Sequence, residues 1–231
     1  RRGLGEEFNR RVISMAGDLS DKRILDVGCG YGGLLMEIDK CYPDSHLYGV
    51  DQINVRTKEV SQKLAGIVLK NADIQESIPF EDNFFDFVFC TETLEHLKNP
   101  DYCLQEIKRV LTNNGRIIIT VPNATGYWPF YCLEDLIPTK WLRIRLLPYE
   151  HPLNTDQPID TCYCYKEIIE LVCRNGVIIE KIGGWRYFRY LQMFPLIRDV
   201  YKILYSFVEW LLPKIKMERF AYNLFLLCRK D

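Results

Sequence analysis

A glycine-rich segment directly follows a short apolar run near the start of the chain. The run at residues 23–27 leads into Gly28-Cys-Gly30-Tyr-Gly32-Gly33, and a helical pattern of apolar residues begins there. Glycines let the backbone take positive φ angles and approach a ligand closely. The first turn of the following helix presents N–H groups that have no partner within the helix. This order predicts a strand, a turn and a helix that bind a ligand at the turn.

The same alternation continues along the chain. The predicted strands are 23–27, 46–50, 67–69, 84–90, 116–121, 177–182 and 222–228. The predicted helices are 5–17, 33–42, 54–65, 100–111 and 165–173. Strands that alternate with helices form parallel units with helices on both faces of the sheet, so we predict an α/β fold. A length of 231 residues suits one domain. We assign it to 1–231, with a cap-like insertion at about 122–164 and an apolar helical insertion at about 183–220.

Three aspartates around the loop distinguish between the ligands that such a loop can bind. Asp26, two positions before Gly28, would repel a pyrophosphate but can hold an ammonium group. Asp51 ends the second strand, where it can accept hydrogen bonds from two ribose hydroxyls. Asp73 follows the third strand and could accept a bond from an adenine amino group, with Ile74 against the ring. An amino acid, a ribose and an adenine without phosphate describe S-adenosylmethionine better than NAD.

With these residues in place, the chain resembles the class I S-adenosylmethionine-dependent methyltransferases, and more narrowly the group that contains the ubiquinone and menaquinone biosynthesis methyltransferases. The resemblance covers about 22–123. It rests on Ile24-Leu-Asp-Val-Gly-Cys-Gly-Tyr-Gly32, Gly49-Val-Asp51, Ala72-Asp-Ile74, Phe85-Asp-Phe-Val-Phe-Cys-Thr-Glu-Thr-Leu-Glu-His96-Leu97 and Glu106-Ile-Lys-Arg-Val-Leu111 with Gly115. Thr112-Asn-Asn-Gly115 departs from the Lys-Pro-Gly-Gly that the family usually has at this surface turn.

The resemblance implies a Rossmann-like sheet of seven mostly parallel strands in the order 3-2-1-4-5-7-6, with the last strand antiparallel. It also implies S-adenosylmethionine as the methyl donor. The expected cofactor-binding positions are Asp26, Gly28, Cys29, Gly30, Gly32, Asp51, Gln52, Ile53, Ala72, Asp73, Ile74 and Thr91. At Cys29 we expect the backbone, rather than the side chain, to touch the ligand.

Three residues are candidates for acid–base chemistry on a methyl acceptor. Glu92 and His96 follow the fourth strand, and His151 lies in the insertion that covers the acceptor pocket in this fold. A base matters when the acceptor holds its proton tightly, as a hydroxyl does. The alternatives are a solvated turn for Glu92, a packed helix-start residue for His96 and a surface loop for His151. We predict transfer to a small-molecule or lipid-linked acceptor, at oxygen.

The second insertion contains an unusually apolar helix. Between Pro195 and Pro213 the polar residues Arg198, Lys202, Ser206 and Glu209 form one narrow stripe beside a wide apolar face. Seventeen residues that include charges do not suit a membrane span. Aromatic and basic residues flank the helix, a combination that suits a membrane surface. We therefore expect this face to lie on the core, on a second copy of the chain, or on a membrane surface.

Composition restricts the remaining alternatives. A net charge of −1 and the absence of an Asn-Pro-Pro-Tyr motif after the fourth strand disfavour a nucleic-acid methyltransferase. Nine scattered cysteines fit a reducing, cytoplasmic compartment, and their spacing predicts no metal site. A non-catalytic, methyltransferase-like binding subunit and an NAD-dependent oxidoreductase remain as rival hypotheses.

Overall fold

The computed structural model describes residues 5–52, 66–124, 161, 163–187 and 195–231. The helices are α1 (Glu6–Ala16), α2 (Gly33–Cys41), α3 (Pro100–Val110), α4 (Tyr165–Arg174) and α5 (Pro195–Leu211). The strands are β1 (Arg23–Val27), β2 (His46–Asp51), β3 (Val68–Asn71), β4 (Phe85–Thr91), β5 (Leu111–Pro122), β6 (Val177–Tyr187) and β7 (Ala221–Lys230). Several predicted features lie outside the described residues, namely Ile53, the helix at 54–65, His151 and most of the first insertion.

The described strands form one seven-stranded sheet in the order β3-β2-β1-β4-β5-β7-β6. Neighbouring strands from β3 to β5 run parallel, and β7 runs antiparallel to both β5 and β6. The predicted fold class, strand order and antiparallel last strand are confirmed. The carboxyl ends of β1, β2, β4 and β5 therefore meet at one edge of the sheet, which we call the carboxyl edge.

Alternating side chains build a core on each face of this sheet. Leu25 and Ile117 belong to the core that includes α3 and α4. Their neighbours Ile24 and Ile118 point to the other face, where they pack with α1 and α2. Successive strand residues point to opposite faces, so a continuous apolar run such as residues 117–119 supplies both cores at once.

The ends of α3 follow the expected signals. Asn99 caps the helix, with its Oδ1 accepting a bond from the Tyr102 N–H at 3.2 Å, and Pro100 occupies the first turn. Leu111, expected on one face of this helix, instead begins β5 and pairs with Phe85.

Strand β6 is longer than the sequence indicates and runs to Tyr187 rather than ending at residue 182. Gly183 and Gly184 pair with Phe225 and Leu224 of β7. A Cβ atom at residue 184 would lie 2.5 Å from that of Ala221, so the glycine permits a close approach inside the sheet rather than marking its end. The second insertion therefore begins after Tyr187, five residues later than predicted.

The second insertion leaves and re-enters the sheet at the carboxyl edge. Helix α5 is followed by two short 3₁₀ turns, Leu212–Ile215 and Glu218–Phe220, before β7 begins. The Asn123 side-chain amide, at the end of β5, donates to the carbonyls of Arg219 and Ala221 at 2.9 and 2.7 Å. Within the described part of the chain, no helix combines the length and apolar character that crossing a membrane requires.

Candidate active site

The glycine loop is fixed to the end of β2 by its backbone. The N–H groups of Gly28 and Cys29 donate to the Val50 carbonyl at 2.8 and 3.2 Å. The Gly30 N–H donates to Asp51 Oδ2 at 2.7 Å. Gly28, Gly30 and Gly32 have φ angles of +75°, +51° and +65°. Residues that carry a Cβ atom rarely adopt such values. The loop therefore holds its shape through glycine conformations and one carboxylate.

The turn after β4 packs directly on this loop. A Cβ atom at residue 28 would lie 2.6 Å from Oγ1 and 2.7 Å from Cγ2 of Thr93, which is buried. The Thr93 hydroxyl donates to the carbonyls of Thr91 at 3.0 Å and Val27 at 3.3 Å. Residue 28 is thus restricted to glycine by a neighbouring side chain as well as by its own φ angle.

Asp26, the last but one residue of β1, has an unusual environment for a carboxylate. Its side chain is 2% exposed, and Oδ1 has no hydrogen-bond partner among the described residues. Burial, and then the nearby charge of Asp51, raise the pKa of Asp26 well above its ordinary value. A cation at this position would relieve both effects, so the carboxylate fits the ammonium end of an amino acid.

The predicted adenosine contacts lie at the ends of β2 and β3. Asp51 is half-buried, Gln52 is exposed and Ala72 is half-buried. The Ala72 N–H donates to the Asp51 carbonyl at 3.2 Å, which joins the two segments. Asp73 Oδ1 accepts a bond from the Gln75 N–H at 2.9 Å, and Ile74 is buried in the core.

A buried polar cluster lies beyond the end of β4. Glu92 is buried with a φ angle of +49°. Its Oε1 accepts a bond from the Thr120 hydroxyl at 3.1 Å, and its Oε2 lies 3.4 Å from Nδ2 of Asn223, which donates to it. The cluster therefore connects the ends of β4, β5 and β7. The interpretation of Glu92 as a solvated turn residue is therefore wrong, because its carboxylate is buried and both oxygens are hydrogen-bonded.

Glu95 and His96 form a second polar pair, in the 3₁₀ turn Leu94–His96. His96 is largely buried, and its Nε2 lies 3.6 Å from Oε1 of the buried Glu95. The Glu95 carbonyl accepts a bond from the Thr161 N–H at 2.7 Å, and Asn123 pairs with Tyr163. Both ends of the first insertion therefore lie beside this turn, at the carboxyl edge.

The structure thus brings the glycine loop, Asp26, Asp51 and the turn after Thr91 together around the ends of β1, β2 and β4. The described contacts of Glu92 lie toward β5 and β7, and those of His96 lie within its own turn. The Cys29 side chain instead points into the core between the sheet and α2, where burial raises the pKa of its thiol. Thr93, Thr120 and Asn223 were not anticipated. Asn223 had one signal in the sequence, as a lone polar residue within an apolar strand.

The residues present fit S-adenosylmethionine on two observations. The buried Asp26 Oδ1 has no described partner and suits an ammonium group. The open backbone at Gly30, where an added Cβ would meet no atom within 4 Å, leaves room for a ligand against the loop.

Comparisons with known proteins identify the family of this chain. A family model described as a methyltransferase domain matches residues 18–141, more than half of the chain. The chain therefore belongs to the methyltransferase domain family. More specifically, it resembles the class I S-adenosylmethionine-dependent methyltransferases, and among them the ubiquinone biosynthesis group.

Two curated relatives and one solved structure illustrate the range of this family. Ubiquinone biosynthesis O-methyltransferase of Dechloromonas aromatica is 31% identical over 118 residues, 48% of this chain and 49% of that protein. Ubiquinone/menaquinone biosynthesis C-methyltransferase of Desulfotalea psychrophila is 27% identical over 135 residues, 55% and 54% of the two chains. A phosphoethanolamine N-methyltransferase of Haemonchus contortus, solved with S-adenosylhomocysteine, superposes with a TM-score of 0.63 at 18% identity and covers 98% of this chain and 53% of its own.

These three proteins are named for methylation at oxygen, carbon and nitrogen. The matched segments also span about half or less of the curated relatives. The family follows from the comparisons, whereas the acceptor does not.

Proposed function

We propose that this methyltransferase transfers the methyl group to an oxygen atom of a small-molecule or lipid-linked acceptor. The observation that carries the proposal is the buried Glu92, held at the carboxyl edge by Thr120 and Asn223. It lies one residue from Thr93, which packs on Gly28 of the glycine loop. A carboxylate in the turn that packs on the loop is a candidate to position or deprotonate a hydroxyl.

The three aspartates divide the recognition of S-adenosylmethionine. In this proposal Asp26 holds the ammonium group, Asp51 accepts bonds from the ribose hydroxyls, and Asp73 accepts one from the adenine amino group. The first turn of α2 and the backbone of Gly28 to Gly32 provide the close approach. When bound, S-adenosylmethionine supplies a methyl group that its sulfonium has already activated.

The protein then mainly has to align the acceptor and remove its proton. Alignment of reacting groups can supply about 7–11 kcal/mol of the barrier. General base catalysis by a positioned side chain contributes about 10²–10⁴-fold. Glu92 and His96 are the described candidates for the base, and His151 is a third that lies outside the described residues. An oxygen acceptor makes use of such groups, because hydroxyls hold their protons tightly.

A lipid-linked acceptor is favoured by what surrounds the site. The insertion that contains α5 connects the ends of β6 and β7 at the carboxyl edge. The apolar helix α5 is therefore connected to the same edge of the sheet at which Glu92 lies. A net charge of −1 disfavours a nucleic-acid acceptor.

We further propose a reducing, cytoplasmic location, in keeping with the free cysteines among the described residues.

A radiolabel assay tests the proposed function. Protein and S-adenosylmethionine with a tritiated methyl group are incubated with lipid and aqueous extracts, and the labelled product is tested for the chemistry of its new bond. We expect label in the lipid extract, on oxygen, and loss of about 10²–10⁴-fold in turnover with Glu92→Gln. Label on nitrogen or carbon would contradict the oxygen assignment. No label in any extract, with normal S-adenosylmethionine binding, would favour the non-catalytic binding subunit.

A further inference from the structure

Helix α5 exposes a continuous stripe of large apolar side chains. Ile203, Leu204, Phe207 and Trp210 are 81%, 49%, 56% and 57% exposed, and we call them the α5 stripe. They recur at helical spacing on one side of α5, and the rings of Phe207 and Trp210 lie 6.0 Å apart. Side chains of this size present roughly 400–500 Å² together, which is the range in which exposed patches on monomers are often functional.

The stripe is exposed because the opposite side of α5 is already anchored. Glu209 Oε1 accepts a bond from the Tyr187 N–H at 2.9 Å. Val208 packs on a buried cluster that contains Tyr187, Leu212 and Ala221. The helix is thus fixed against the end of the sheet by one side, and the stripe faces outward.

Positive charges adjoin the stripe at its carboxyl-terminal end. Nζ of Lys214 lies 3.5 Å from the ring centroid of Trp210, and Lys214 and Lys216 are both exposed. The Glu209 carboxylate, in contrast, is turned toward β6. The outward surface of this region therefore combines aromatic rings, aliphatic side chains and lysines.

We propose that the α5 stripe docks on an anionic membrane surface, with α5 lying in the plane of the interface. Aromatic and aliphatic side chains enter the boundary between headgroups and acyl chains, and nearby lysines pair with anionic lipids. A second copy of the chain is the weaker alternative, because a stable protein interface buries about 800 Å² per partner. Lysines beside a self-associating patch would also repel each other.

The proposal does not depend on the identity of the methyl acceptor. Docking through the α5 stripe would bring the carboxyl edge of the sheet close to the membrane, because the segment that contains α5 connects β6 and β7 at that edge. Its test uses membrane binding and not turnover, so it can fail while the proposed function holds, and the reverse is also true.

Vesicle flotation with the full chain tests this surface. We expect binding to phosphatidylcholine vesicles that contain phosphatidylserine, much weaker binding to phosphatidylcholine alone, and release at high salt. Ile203→Gln with Phe207→Gln should weaken binding at least about tenfold. Lys214→Gln with Lys216→Asn should weaken it about fivefold per lysine at low salt. Asparagine suits residue 216 because its φ angle is +56°.

The matched control is Val68→Gln with Ile178→Gln, which changes two exposed apolar residues of the sheet and should leave binding unchanged. Quenching of tryptophan fluorescence by brominated lipid should be weaker with Trp210→Phe. Absence of binding by the wild-type chain at low salt would overturn the proposal. So would a dimer in sedimentation that the Ile203→Gln, Phe207→Gln variant dissociates, since a second copy would then cover the stripe.

Discussion

Replacing the buried carboxylate of Asp26 by an amide should separate fold stability from cofactor binding. Asp26→Asn keeps the shape of the side chain and removes the charge that burial and Asp51 disfavour. If Asp26 holds the ammonium group of S-adenosylmethionine, the variant loses a hydrogen bond between charged groups. Such a bond contributes about 1.5–3 kcal/mol, so we expect calorimetry to show about 10- to 150-fold weaker binding.

The same substitution should stabilise the protein in the absence of cofactor. The folded-state pKa of Asp26 is raised, so between its unfolded and folded pKa the folded state binds more protons than the unfolded state. The free energy of unfolding therefore falls as pH rises through that window, and the loss persists above it. Asp26→Asn removes this loss. We expect a higher melting temperature than wild type at neutral pH and no difference at a pH below the unfolded pKa.

Cofactor affinity should also depend on pH through this group. A bound ammonium lowers the pKa of Asp26, so binding releases a proton and wild-type affinity rises with pH. The test range ends near pH 7.5, about where a free α-amino group begins to titrate. The Asn variant should show a flat profile, and Asp44→Asn, at an exposed position, should behave as wild type. Equal affinity of wild type and Asp26→Asn throughout would refute the role assigned to Asp26.

Four further substitutions address the loop, the ribose and the base. Gly28→Val should destabilise the fold as well as abolish cofactor binding, because the new side chain meets Thr93; a normal melting temperature would contradict this packing. Asp51→Ala should weaken S-adenosylmethionine by about 2–3 kcal/mol through two lost charge-assisted bonds, and unchanged affinity in calorimetry would remove Asp51 from the site. His96→Gln or His151→Gln should lower turnover about 10²–10⁴-fold with cofactor affinity intact if that histidine is the base; full turnover in both would leave Glu92, or alignment alone.

The sequence located the parts of the candidate site that lie close together along the chain. The loop from Gly28 to Gly33 and the aspartates at strand ends are short-range patterns, and their positions relative to the strands follow from the chain alone. The strand order came from the resemblance to a known family.

The contacts that the sequence did not predict join residues far apart in the chain. Thr93 lies against Gly28, and Asn223 reaches Glu92 because β7 inserts antiparallel beside β5, with residue 223 opposite Pro122. Such contacts depend on strand register, which composition does not specify. The orientation of α5 was not predicted either. Glu209 of its polar stripe turns inward, while part of the apolar face is exposed.

A crystal structure with S-adenosylhomocysteine shows whether the glycine loop and its three aspartates form the cofactor site. We expect the amino group within hydrogen-bond distance of Asp26, the ribose hydroxyls on Asp51 and the adenine amino group at Asp73. A nucleoside bound elsewhere, or bound at the loop with Asp26 still lacking a cationic partner, would contradict this assignment.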